Sequence, residues 1–142
     1  MSVHVVCFGN AWHGDDGFGQ HVLRRLPPGI RAFDAGTAGL NALGYFEGCE
    51  KAVIVDAVRT GAPLGTVHRL LPDDLEPSSD AFSLHELGVG AVVAALREPP
   101  DVVLVGAEVG EVHAFTDRLS APLEAAVPEA VRLVLSELGR RD

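Results

Sequence analysis

Basic residues, cysteines, aromatic side chains and long apolar runs are all scarce in this chain. Its 142 residues hold 11 Lys and Arg against 20 Asp and Glu, a formal net charge of -9. Nucleic acids and anionic membranes call for a basic face, so that deficit argues against both, while a basic protein partner or a metal remains open. No apolar stretch approaches the ~20 residues of a membrane span. The first residues show no basic region followed by an apolar core and a cleavage site, so no signal peptide and a cytoplasmic location are expected. The two cysteines, Cys7 and Cys49, stand alone in apolar surroundings. They read as reduced, buried thiols rather than a disulfide or a metal pair. What is abundant is apolar character, at 47% of residues, which rules against disorder. A chain of this length forms one domain spanning 1–142, with no repeat or linker, and can bury roughly 70% of its unfolded surface.

Strand and helix patterns alternate. Val3 to Phe8 reads as a buried strand, and Phe18, Val22, Leu23 and Leu26 recur at helical spacing. After the breaker Pro27-Pro28-Gly29, a second strand is expected over Ile30 to Phe33, then a short helix over Leu40 to Phe46. Ala52 to Val55 is a buried strand ending on Asp56. Gly65 to Leu71 reads as a weak strand, antiparallel at an edge, and Pro72 to Ser79 as a loop. Ser83, with Glu86 in the capping-box position, opens a helix from Leu84 to about Arg97. Val102 to Val105 is the next strand, and Gly106 to Asp117 a loop bearing Glu108, Glu111 and His113. Ser120 and Pro122 start a last helix that reaches Leu138, with Pro128 expected to break or kink it. The pattern predicts an α/β fold, a mostly parallel sheet with helices on both faces, whose first strands run in the order 2-1-3.

The first strand-to-helix turn, Gly9 to Gly19, is the richest in chemistry. Its Gly9–Gly14 spacing fits a P-loop, but Asp15 and Asp16 stand where Lys and Ser/Thr belong, and the dinucleotide fingerprint is missing. Two carboxylates there repel a polyphosphate and favour a cation or a proton. The plain alternative is a helix cap, a role expected more of Asp15 than of Asp16. If strands one and three are neighbours, their axes lie ~4.8 Å apart, and Asp16 and Asp56 reach one crevice. A divalent metal relieves their repulsion, and an imidazole completes three ligands. Of the 6 His, His85 stands at the first turn of a helix, where a neutral, ligating ring is favoured, with capping as its alternative. His13 and His113 are candidates for approaching the rim. His4 reads as packing or surface, His21 as exposed, and His68 as part of the weak strand. No Ser-His-Asp or Cys-His spacing around a nucleophile turn supports covalent catalysis.

Five short strings in order carry a resemblance over nearly the whole chain. They are Gly9-Asn10 with Asp15-Asp16-Gly17-Phe18-Gly19, Asp34-Ala35-Gly36-Thr37, Val53-Ile54-Val55-Asp56-Ala57, Ser83-Leu84-His85, and Leu119-Ser120-Ala121-Pro122. The chain resembles the hydrogenase maturation endopeptidases, which trim the large subunit of nickel–iron hydrogenases. The resemblance implies a three-layer α/β/α sandwich with a five-stranded twisted sheet, mostly parallel with one antiparallel strand. It implies a site for nickel or a surrogate divalent metal, formed by an acidic residue of the first loop, an aspartate after the third strand and a histidine. Those fall on Asp16, Asp56 and His85, in catalytic as well as metal-binding roles. Asp34, Gly36, Thr37 and His13 are expected to touch the bound peptide, with a structural Asx turn as the alternative for Asp34. The partner implied is the large-subunit precursor, cut at a C-terminal extension after nickel insertion by an enzyme expected to be monomeric. Where relatives often carry Glu in the first loop and Asp-Gly-Gly-Thr in the second turn, this chain has Asp16 and Ala35. Two other readings are a metal-independent aspartate pair and a checkpoint protein that binds the nickel-loaded precursor without cutting it.

Overall fold

The computed structural model describes residues 2–71, 82–83, 96–112 and 115–139. The expected loop 72–79, most of the expected helix that begins at Leu84, His85 within it, and His113 lie outside these residues.

Three strands form the centre: β1 (Val3–Phe8), β3 (Lys51–Arg59) and β6 (Asp101–Glu108). Each is a near-continuous apolar run, as expected of strands covered on both faces. Every residue of β3 but its last is buried. β2 (Arg31–Gly36) pairs parallel with β1 at one edge, and β4 (Val67–Leu70) pairs antiparallel with β6 at the other. The order is β2-β1-β3-β6-β4, so the 2-1-3 start and the antiparallel edge strand both hold. A two-residue strand, β5 (Phe82–Ser83), adds an antiparallel pairing at the end of β3, with Ser83 opposite Val58. Ser83 was expected to cap a helix, and most of that helix lies outside the described residues.

Helices cover the two faces. On one, α1 (Phe18–Arg24) and the long α3 (Ala121–Gly139) pack over Val5, Val53, Val55, Val103 and Val105. In α3, Leu123, Ala126, Val127, Ala130 and Val134 recur at the spacing of one helical face and are all buried. On the other, α2 (Leu43–Phe46) helps cover Val6, Phe8, Ile54 and Leu104, with Phe46 stacked on Phe8. Burying each large side chain contributes about 1.5–3 kcal/mol. Among the described residues, no helix is long and apolar enough to cross a membrane.

Some boundaries differ from expectation. β3 runs on past Asp56 to Arg59 and β6 past Val105 to Glu108, because each keeps pairing with the other as far as Val58 opposite Glu108. Glu108 therefore belongs to a strand, not a loop. α3 runs unbroken through Pro128, which lies on its exposed side. There the carbonyl that loses its N–H partner can turn to water, so the helix survives. Leu96 and Arg97 lie outside any helix.

Candidate functional site

The carboxyl edge of the parallel strands is built around the first loop. β1 ends at Phe8, and Gly9 leaves it with φ of 149° while its N–H donates to the Gly36 carbonyl at 2.9 Å. A side chain on Gly9 would fall 2.3 Å from the Asp16 carbonyl oxygen. The chain then forms a 3-10 turn, Gly14–Gly17, that feeds directly into α1 and packs against β3. Gly19 seats α1 on the strand ends: a Cβ there would lie 2.2 Å from the Phe8 carbonyl oxygen and 3.0 Å from that of Val55. Glycine is required because helix and strand backbones touch.

The two adjacent carboxylates do different work. Asp15 accepts from the backbone N–H of Ser120 at 2.7 Å and from its hydroxyl at 2.8 Å. The cap expected of it is not made: neither the 3-10 turn nor α1 has a side-chain cap, and Asp15 instead ties the first loop to the residue before α3. Asp16 accepts from His13 Nδ1–H through Oδ2, at 2.8 Å. Its other oxygen, Oδ1, is buried and has no hydrogen-bond partner. Asp16's side chain is 14% exposed and His13's 39%. The loop is further stitched to the segment after β6 by a parallel bridge between His13 and Thr116, with Gly14 N–H donating to the Thr116 carbonyl at 2.9 Å. Beside that bridge Trp12 and Phe115 stand 61% and 86% exposed.

Asp56 sits wholly buried on β3, with Oδ1 accepting from the Ala57 N–H at 2.8 Å. The structure thus puts Asp16 in a turn packed on the strand that bears Asp56. The third expected ligand, His85, lies outside the described residues. Among those residues no group of three or more His, Cys, Asp or Glu could hold a metal ion. The two carboxylates are hard oxygen donors of the kind a divalent cation accepts, and Asp16 Oδ1 is an acceptor that no protein donor satisfies.

Asp34 has an evident structural task. Its Oδ1 takes the Gly36 N–H at 2.9 Å, an Asx turn, and the amide of Gln20 at 3.0 Å. Thr37 and Asp34 are exposed at the same edge, and Gly36 is half-buried. Gln20 also donates to the Gly9 carbonyl at 2.9 Å, so one buried side chain joins the first two turns. Sequence reasoning overlooked it. No local signal announced it: at helical spacing Gln20 falls outside the stripe of Phe18, Val22, Leu23 and Leu26, where an exposed residue is the ordinary expectation. Cys7 is not a nucleophile: burial, then the nearby Asp34 and Asp56 carboxylates, push its thiol far above the ordinary range.

A second polar cluster lies at the far end of β6. Glu108 accepts from the Thr60 hydroxyl at 2.5 Å, the Thr60 N–H at 2.8 Å, His68 Nε2–H at 3.1 Å and the Gly61 N–H at 3.2 Å. Burial works to raise its pKa, and these bonds from Thr60, His68 and Gly61 more than offset it, leaving the carboxyl below its ordinary value. Both oxygens are satisfied, so the cluster fastens the β3–β4 connection. His4 is likewise structural, donating to the Tyr45 carbonyl at 2.8 Å, and His21 donates to the Asp117 carbonyl at 2.9 Å.

With this geometry in view, the chain matches the family model described as hydrogenase maturation protease over residues 21–137. It is similar to the coenzyme F420 hydrogenase subunit delta of Methanothermobacter thermautotrophicus, 30% identical, with 95% of this chain and 93% of that protein covered. It is 28% identical to the hydrogenase expression/formation protein HoxM of Azotobacter vinelandii, over 99% of this chain and 73% of that protein. Among solved structures it superposes on the hydrogenase maturating endopeptidase HybD from E. coli with a TM-score of 0.83 at 27% identity, covering 97% of this chain and 92% of that one. The [NiFe] hydrogenase maturation protease HybD from Thermococcus kodakarensis shares the fold, with a TM-score of 0.82 at 23% identity over 99% of this chain and all of that one.

Proposed function

The chain belongs to the hydrogenase maturation protease family, and from that premise we propose that it removes the C-terminal extension of a nickel–iron hydrogenase large-subunit precursor once nickel has been inserted. It is a peptidase, as its relatives named maturation proteases are. In this reading nickel travels with the client and serves as the recognition element, and the enzyme acts in the cytoplasm as a single chain.

One observation carries the proposal: Asp16, in a turn packed on the strand of Asp56, keeps a buried carboxylate oxygen without a donor. Asp16 and Asp56 would offer oxygen ligands, and His85 an imidazole nitrogen, to nickel already held by the precursor. The cation removes the repulsion between the two carboxylates. Asp16, Asp56 and His85 would hold the client's nickel beside the scissile bond, where a divalent cation would supply Lewis-acid polarisation of the carbonyl or of a water. Asp34 and Thr37 fit the crevice wall against which an extended peptide lies, while Trp12 and Phe115 give that peptide an apolar rim.

The test is incubation with a large-subunit precursor, nickel-loaded or nickel-free, followed by intact mass. Loaded precursor should lose the mass of its extension and nickel-free precursor should not. Asp16→Asn and His85→Ala should each abolish trimming without changing the melting temperature. A loaded precursor that binds but keeps its full mass would overturn the proposal in favour of a checkpoint protein. Equal trimming with and without nickel would point to the metal-independent aspartate pair.

A further inference from the structure

We propose that His13 is a positioning residue that holds Asp16 by one oxygen so that the other is presented to a divalent cation. This rests on the reading of Asp16 as a ligand given above and adds to it a residue in the first loop.

Three observations converge. The imidazole is held in place by its backbone: His13 N–H donates to the Asn10 carbonyl at 3.1 Å, its own carbonyl accepts from the Asp16 N–H at 3.1 Å, and it bridges to Thr116. From that fixed base Nδ1–H donates to Asp16 Oδ2 at 2.8 Å. Asp16 Oδ1 meanwhile is buried and meets no donor. An aspartate has only two side-chain torsions, so fixing Oδ2 fixes Oδ1 as well. Ligating carboxylates are commonly steadied by such an outer hydrogen bond, and removing it costs metal affinity without removing a ligand. A plain surface pairing three residues apart would leave neither oxygen buried and unsatisfied. The bond also sets the tautomer, with the proton on Nδ1, so His13 acts through Asp16 and its contact with the peptide is secondary.

Two measurements on the intact protein test this. The first needs no metal: 15N NMR of the His13 ring at neutral pH should show the Nδ1–H tautomer in the wild type and lose that bias in Asp16→Ala, which has no acceptor. A wild-type ring protonated on Nε2 alone would overturn the proposal. The second is calorimetric titration with Ni2+ of untagged wild type, His13→Ala, His13→Asn and Asp16→Asn. His13→Ala should bind about 10-fold more weakly or worse, with an unchanged melting temperature. His13→Asn, whose amide N–H can stand in for Nδ1–H, should recover most of the affinity. If His13→Ala binds like wild type while Asp16→Asn does not, His13 positions nothing, and the reading of Asp16 as a ligand survives. If Asp16→Asn also binds like wild type, that reading falls and takes the role of His13 with it.

Discussion

At the scale of single residues, the first turn is constrained more by backbone contact than by charge. Gly19 lies so close to the Phe8 and Val55 carbonyl oxygens that a methyl group must displace either α1 or the strand ends. Gly19→Ala should therefore destabilise the domain by about 1–3 kcal/mol or more, seen as a lower melting temperature, and should slow trimming as the turn bearing Asp16 shifts. Asp15 and Asp16, neighbours in sequence, separate cleanly in the same experiment. Ser120→Ala removes a hydroxyl from Asp15 and should cost about 1 kcal/mol of stability, whereas Asp16→Asn should cost activity alone. Sequence could suggest that one carboxylate caps and the other binds. It could not reveal that Asp15 leaves its own helix uncapped and binds Ser120, because that partnership is tertiary.

At the scale of elements, the alternation of strands and helices was readable because central strands are apolar on both faces and helices on one. Where reading failed, pairing or exposure had overruled local signals. β3 and β6 extend past Asp56 and Val105 because each offers the other a ladder, and Pro128 leaves α3 whole because it faces solvent. The far end of α3 is fixed by a buried ionic group that no periodicity announces. Glu137 accepts from Lys51 Nζ at 2.9 Å and from Arg69 Nε, joining helix, central strand and edge strand. Burial works to raise its pKa, and the bonds and charges of Arg69 and Lys51 outweigh it, so the carboxyl stays below the ordinary glutamate value. A carboxyl lowered on folding contributes stability that is complete above the ordinary value and drains away as pH falls through the lowered one. Glu137→Gln, which leaves Lys51 buried beside a neutral partner, should lower stability at neutral pH by about 3 kcal/mol. In melting curves run from neutral to acid pH, the gap from wild type should narrow below the ordinary glutamate value.

At the scale of the whole molecule, the sheet order sets the site. Strands β1 and β3 are neighbours, so the turn after one and the aspartate on the other share an edge, which the alternating pattern and the crossover rule made legible. The exposed aromatics at that edge were not legible, since nothing in the sequence separates Trp12 and Phe115 from core residues. Replacing both with Ala should raise KM for the precursor about 10-fold while kcat and melting temperature hold, if the client chain covers them in the complex. The clasp between Asp15 and Ser120 spans 105 positions. A ribosome delivers the first loop long before the residues that lock it and before α3, which covers one face of the sheet. The peptidase should therefore stay inert until α3 has been made, and nonsense alleles that stop just before Ser120, which lose the buried face of α3 along with the clasp, should behave as nulls although every proposed ligand has been made.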